Sequence, residues 1–218
     1  SYFDLSEAQV QTVGREMARL HELAAALQLS YPRRPYTPTT ILDEPLQVLA
    51  PAFAEYEYPE GYAYLQTAAA QAHARLAELP TAAFAQGYCH YDFLPKNFHF
   101  DAQGRITFFD FDFAGWGWLV NDVMSFRIHY FLHVLTRRLS QAEADRAWEL
   151  FLASYRQVRP LSEAELAAIP ALGFGFWLFY LGFAYTHFDD WSNTFFGPRY
   201  LRERVGLMRQ WVDWHGGL

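Results

Sequence analysis

The chain has 218 residues, 52% hydrophobic and 19% charged, enough for one compact core and too apolar for an intrinsically disordered polypeptide. Seventeen Lys and Arg face 24 Asp and Glu, and the net charge of -7 at pH 7 argues against a polyanion partner such as nucleic acid. Lys96 is the sole lysine, so chemistry that needs a second lysine within this chain is excluded. The single cysteine, Cys89, forbids an internal disulfide. No positively charged start leads into an apolar signal stretch, and a reducing, cytoplasmic setting is expected.

Ser6 with Gln9 three residues on forms a capping box, and Val10, Val13, Met17, Leu20, Ala24 and Leu27 then recur at helical spacing. They predict an amphipathic helix of about five to six turns. Pro32, Pro35, Pro38 and Pro45 make Ser30 to about Asp43 a loop. Helices are expected around Leu46 to Tyr56 and from Tyr62 to Leu79, the second stopped by Pro80. Between Gly87 and Phe113 the pattern changes, with Phe98, Phe100, Ile106, Phe108 and Phe111 flanking Asp101-Ala-Gln-Gly104, whose Asp and Gly mark a tight hairpin. Further helices are expected over Val120 to Leu139, Ser140 to Val158, Ser162 to His187 and Pro198 to His215. The pairs Ser140 with Glu143 and Ser162 with Glu165 open two of them as capping boxes. Leu166 to Tyr185 is 20 residues without a charge, long enough to cross a bilayer. Pro170, Gly173, Gly175 and Gly182 inside it favour a helix buried all round in a core, and no membrane partner is expected. The fold class is therefore mainly α with a small β-hairpin insertion.

Chemistry concentrates between residues 88 and 118. His90, Asp92 and Asn97 stand at the spacing H-x-D-x-x-x-x-N, and Phe109-Asp110-Phe111-Asp112 follows the hairpin. Phosphoryl transfer from ATP requires a group that positions an acceptor hydroxyl and takes its proton, and groups that hold Mg²⁺ against the phosphates. An Asp, an Asn five residues later and a second Asp meet those needs. If Phe100 and Arg105 flank a four-residue turn, Asn97 lies opposite Phe108 and diagonal to Asp110. Diagonal neighbours sit about 7 to 8 Å apart, near enough for two side-chain oxygens to share a cation. Hard oxygen ligands of this kind suit Mg²⁺.

These residues resemble the catalytic machinery of the aminoglycoside phosphotransferase-like family, which includes choline kinases and homoserine kinase type II-like enzymes and shares the protein-kinase fold. The resemblance implies that Asp92 is the catalytic base, Asn97 and Asp110 are Mg²⁺ ligands, and ATP is the phosphoryl donor. His90 and Asp122 would support the catalytic loop, with Phe113-Ala-Gly115 and Asn121-Asp122-Val123 also similar to the family. The opening helix, with Ala18-Arg-Leu-His21, is similar to the helix that follows the family's interlobe hinge. Residues 1–218 would then be a single helical C-terminal lobe of an enzyme that is α+β when intact. No glycine-rich phosphate loop and no strand lysine precede the first helix, and the chain begins with Ser, so the β-rich N-terminal lobe is expected to be missing and this segment inactive alone.

Other residues admit two readings each. Asp112 is a candidate contact for a second metal or a water, with a salt bridge or turn cap as the alternative. Asp189, Asp190 and Trp116 are candidates for binding a cationic small-molecule acceptor through charge and ring faces, against a helix start for the two carboxylates and a core or interface role for the indole. Lys96 is read as a solvated loop lysine, His21, His129 and His133 as structural, and Cys89 as a poor nucleophile. An exposed aromatic face is expected around Asp92 to Trp118. The leading function is an ATP- and Mg²⁺-dependent phosphotransferase acting on a small-molecule hydroxyl of the aminoglycoside, choline or homoserine type. The alternatives are a non-catalytic kinase-like binding module and a kinase with a protein Ser or Thr acceptor.

Overall fold

A computed structural model describes residues 4–187 and 196–218. Both halves of the capping box at Ser6 form, and α1 runs over Glu7–Ala26. The proline-rich segment carries a two-residue strand, β1 (Pro35–Tyr36), and a π-helical turn over Thr39–Asp43. That turn departs from the expected plain loop because Thr37 and Thr40 cap one another, Thr37 N donating to Thr40 Oγ1 at 2.9 Å and Thr40 N to Thr37 Oγ1 at 3.3 Å. α2 (Glu44–Glu55), α3 (Pro59–Glu78) and β2 (Gln86–Cys89) follow, then β3 (Phe98–Phe100), β4 (Ile106–Phe108) and β5 (Gly115–Trp118). The remaining elements are α4 (Val120–Leu135), α5 (Gln141–Arg156), α6 (Glu163–Ala167), α7 (Ile169–Thr186) and α8 (Pro198–Trp214).

Three expectations need correction. The hairpin pairs Phe98 with Phe108 and Phe100 with Ile106, one residue away from the expected register. Gly104 takes φ +76° and adds a left-handed residue to the loop, closed by Gly104 N to Asp101 O (3.0 Å) and Asp101 N to Arg105 O (2.9 Å). Asn97 therefore faces Phe109, whose N–H it accepts at 3.0 Å, and not Phe108. The helix expected over Ser162 to His187 is two helices, because Pro170 has no N–H for the carbonyl of Leu166 and sits instead in the first turn of α7. α4 stops at Leu135 and not Leu139, with Arg137 in the left-handed region at φ +56°.

The chain divides into two compact units, one of Ser1–Pro35 with Ala82–Leu166 and one of Tyr36–Thr81 with Ala167–Leu218. In the first, α1 packs along α5 and against β2, and α4 packs on α5. A Cβ on Gly14 would stand 2.6 Å from Phe151 O, so the α1–α5 crossing requires glycine there. β2 pairs antiparallel with β5, Gln86 opposite Trp118 and Cys89 opposite Gly115. In the second unit, α7 packs against α2, α3 and α8. By length and composition α7 could cross a membrane, yet 67% of that stretch is buried inside the protein. Phe174, Leu178 and Leu181 are almost fully enclosed, as expected of a core helix.

Candidate active site

The segment after β2 has no regular hydrogen-bond ladder, so side chains elsewhere must satisfy its backbone. Asp122, fully buried in the first turn of α4, does most of this. Its Oδ2 accepts His90 N at 2.9 Å and its Oδ1 accepts Tyr91 N at 2.7 Å, while Tyr91 is held at φ +68°. One turn on, Ser125 Oγ accepts Phe93 N at 2.9 Å and donates to Asp122 O at 3.1 Å. α1 supplies a third partner, His21, whose Nε2 lies 3.1 Å from Asp122 Oδ2 and whose Nδ1 lies 2.8 Å from the Tyr155 hydroxyl. The Asp122 carboxylate can only accept, so the hydrogen is on Nε2, and Nδ1 is placed to accept from the Tyr155 hydroxyl, whose pKa burial raises.

Within the loop, the turn Pro95–Asn97 folds Asn97 back on Asp92. Asn97 Nδ2 donates to Asp92 O at 2.7 Å and to Asp92 Oδ2 at 2.9 Å. Both partners are acceptors, which settles the amide orientation and turns Asn97 Oδ1 away from Asp92. Lys96 Nζ also reaches Asp92 Oδ2, at 2.7 Å, while its side chain stays exposed, so this loop lysine is solvated as expected and is in addition an ion-pair partner of Asp92. The other oxygen, Asp92 Oδ1, is buried with no hydrogen-bond partner, in a residue only 2% exposed.

Across the hairpin, His90 Nε2 donates to Phe109 O at 2.9 Å, tying the loop to the residue before Asp110. Asp110 is exposed and adopts φ +62°, a region that non-glycine residues rarely enter. Asp112 is also exposed, and its carbonyl accepts Arg33 Nη2 at 2.8 Å. The oxygen donors that Asn97 and Asp110 offer are of the hard type that suits Mg²⁺, and Asn97 keeps one amide oxygen uncommitted to Asp92. Among the described residues no group of three or more His, Cys, Asp or Glu is placed to hold a metal.

Trp116 lies in β5, 37% exposed, its Nε1 donating to Gln86 Oε1 at 3.3 Å. Phe109 (41%) and Phe111 (42%) are exposed as well, each ring partly open beside the loop. Asp189 and Asp190 lie outside the described residues. Cys89 is buried, burial pushes its thiol well up, and its Sγ donates to Trp118 O at 3.2 Å, none of which suits a nucleophile. The buried rings of His129 and His133 meet at a tilt of 57° with centroids 4.2 Å apart. Sequence reasoning missed the partners of His21, Ser125, Arg33 and Lys96. Those of His21 and Arg33, and Phe93 for Ser125, lie far along the chain, and only the placement of His21 on the buried face of an amphipathic helix was a signal for it.

Comparison with known proteins bears on the family and the fold. The model of the phosphotransferase enzyme family matches residues 2–161. An uncharacterized protein of Deinococcus radiodurans is 28% identical over 81% of this chain and 49% of its own length. A homoserine kinase of Phenylobacterium zucineum is 33% identical over 50% of this chain and 31% of the kinase. The structure of amicoumacin kinase hAmiN in complex with AMP-PNP, Ca2+ and Ami superposes with a TM-score of 0.66 at 24% identity, covering 92% of this chain and 59% of that one. The fold is therefore protein-kinase-like, mainly helical with small sheets. The chain belongs to the phosphotransferase enzyme family. It spans about half the length of the curated relatives it matches, 49% and 44% of the first two.

Proposed function

We propose that residues 1–218 are the catalytic-loop and acceptor lobe of an ATP- and Mg²⁺-dependent phosphotransferase that acts on a small-molecule hydroxyl, working with a nucleotide-binding lobe of the full-length protein. The observation that carries this reading is the unpartnered oxygen of Asp92. Asn97 and Lys96 both engage Oδ2, and the enclosed Oδ1 is left without a donor. A buried acceptor without a partner costs about 1 to 3 kcal/mol, so folding alone gives no reason to keep it. An acceptor hydroxyl would satisfy it, and Oδ1 would orient that hydroxyl and take its proton as the oxygen attacks. Asn97 Oδ1 and the Asp110 carboxylate would hold the metal, whose contribution is to neutralise charge on the phosphates. His90 and Asp122 keep the two halves of the site in place. The names of the relatives, a homoserine kinase and an amicoumacin kinase, support a small-molecule acceptor, and the acidic balance of the chain favours a cationic one. The exposed rings of Phe109, Phe111 and Trp116 are proposed to be covered in the full-length protein.

The test is Asp92→Asn in the full-length protein, assayed with MgATP against a panel of homoserine, amino alcohols and aminoglycosides. Turnover should fall by about 10²- to 10⁴-fold, as expected for removal of a general base, with the melting temperature kept. Undiminished turnover would overturn the reading, whereas transfer to a protein substrate only would overturn the acceptor class.

A further inference from the structure

The loop from Phe109 to Ala114 leaves β4 and reaches β5 without strand or helix of its own. Its upstream end is fixed by Phe109 N to Asn97 O (3.0 Å) and His90 Nε2 to Phe109 O (2.9 Å). Its downstream end is closed by Ala114 N to Phe111 O (2.9 Å) and gripped by a guanidinium. Arg33 Nε donates to Ala114 O at 2.8 Å, and Arg33 Nη2 donates to Phe111 O at 2.9 Å and to Asp112 O at 2.8 Å. The neighbouring residue anchors the arm that carries this side chain, because Arg34 O accepts Trp116 N of β5 at 3.1 Å. Asp110 lies between the two fixed ends in its left-handed conformation, which Asp enters more readily than most residues but which its fixed neighbours hold in place.

We propose that Arg33 is a positioning residue for the metal ligand, clamping the three carbonyls that follow Asp110 so that its carboxylate is already aimed when nucleotide and metal arrive. The proposal rests on the reading of Asp110 as a Mg²⁺ ligand. Only a planar fork with several N–H groups on one edge can serve three carbonyls together; a lysine ammonium at the end of a flexible stem cannot. Arg33 is exposed and contributes nothing to the core, so its removal leaves the fold standing.

The experiment uses the full-length protein and three variants, Arg33→Met, Arg33→Lys and Asp110→Asn, with Mn²⁺ binding in the presence of AMP-PNP followed by electron paramagnetic resonance. Amide hydrogen exchange is measured on the metal-free proteins. Arg33→Met should weaken Mn²⁺ binding about tenfold, the lower range for a residue that orients a ligand, with Arg33→Lys in between. Exchange should quicken in the peptide spanning residues 110–115 and not in α1 or α5. Unchanged Mn²⁺ binding in Arg33→Met, with or without a lower melting temperature, would overturn the proposal while leaving the phosphotransferase reading intact if Asp110→Asn abolishes binding. Unchanged binding in Asp110→Asn would remove the metal-ligand reading and the role of Arg33 with it.

Discussion

Asp122 shows how much one buried side chain can organise. Its two oxygens take His90 N, Tyr91 N and the Nε2 hydrogen of His21, all in the enclosed interior between α1 and α4. Asp122→Ala would leave three buried donors without an acceptor, and breaking a buried pair in this way costs roughly 3 to 5 kcal/mol. The chain should then unfold at markedly lower denaturant with an unchanged slope, whereas a shift of the midpoint within error in urea titration would mean that water replaces the carboxylate. The residues of the loop were legible in the sequence to the extent that their relations are local. The five-residue step from Asp92 to Asn97 could be read as a base and a ligand, and the structure adds that the same step lets Asn97 clamp Asp92. His21 and Arg33 were not legible as parts of the site, because their partners lie 101 and about 80 residues away and only folding brings them together. Lys96 is a different case. Its partner is four residues off, but whether Nζ turns to that carboxylate or to solvent depends on the turn at Pro95, which spacing alone does not specify.

Elements with chemical punctuation were the ones sequence patterns placed best. The capping boxes at Ser6 and Ser140 open α1 and α5 where expected, since both halves of each box are encoded within four residues. Ends without such signals, at Leu135 and around Ala168, were overrun. The strands β2 and β5 were missed because Gly-Trp-Gly-Trp has no apolar alternation to display; on the facing strand a Cβ at Gly87 would stand 3.0 Å from the backbone of Ala24, so glycine there lets β2 pack closely on α1. α4 carries a property that its sequence hides. Burial lowers the His129 pKa from 6.5 to about 3, with His133 adding to the shift and Asp4 opposing it, and His133 is itself lowered by burial. In the unfolded chain His129 takes a proton as the pH falls through 6.5, whereas in the folded chain it waits until about 3. Acid therefore protonates the unfolded state first, and the stability present above pH 6.5 is lost progressively down to about pH 3, by at most on the order of 5 kcal/mol from this residue. Urea midpoints measured across that range should fall with pH, and His129→Phe should flatten the slope; an equal slope in the variant would assign the loss to the carboxylates.

At the scale of the molecule, the high apolar content poses one question above others, whether α7 belongs to a core or to a lipid bilayer. Its mean composition fits either, but its packing does not. Gly173 faces Trp211 of α8 so closely that a Cβ would overlap the indole ring, whose Nε1 donates to Pro170 O at 2.9 Å and which is itself fully buried. In an isolated membrane helix, Gly to Ala at such a position is mild and favours the helix. Here the added methyl must displace a tryptophan enclosed in a close-packed interior, at about 1 to 3 kcal/mol for the overpacking and a further loss if the Pro170 bond is broken. Gly173→Ala should therefore lower the melting temperature by several degrees and speed amide exchange in α7 and α8, and the parent chain should be recovered without detergent. Gly206, which has open space where a Cβ would go, is the control, because Ala there should stabilise α8 through helix propensity alone. If Gly173→Ala and Gly206→Ala both raise stability, and the chain needs detergent to stay dispersed, then α7 is not the core helix that its contacts with α2, α3 and α8 describe.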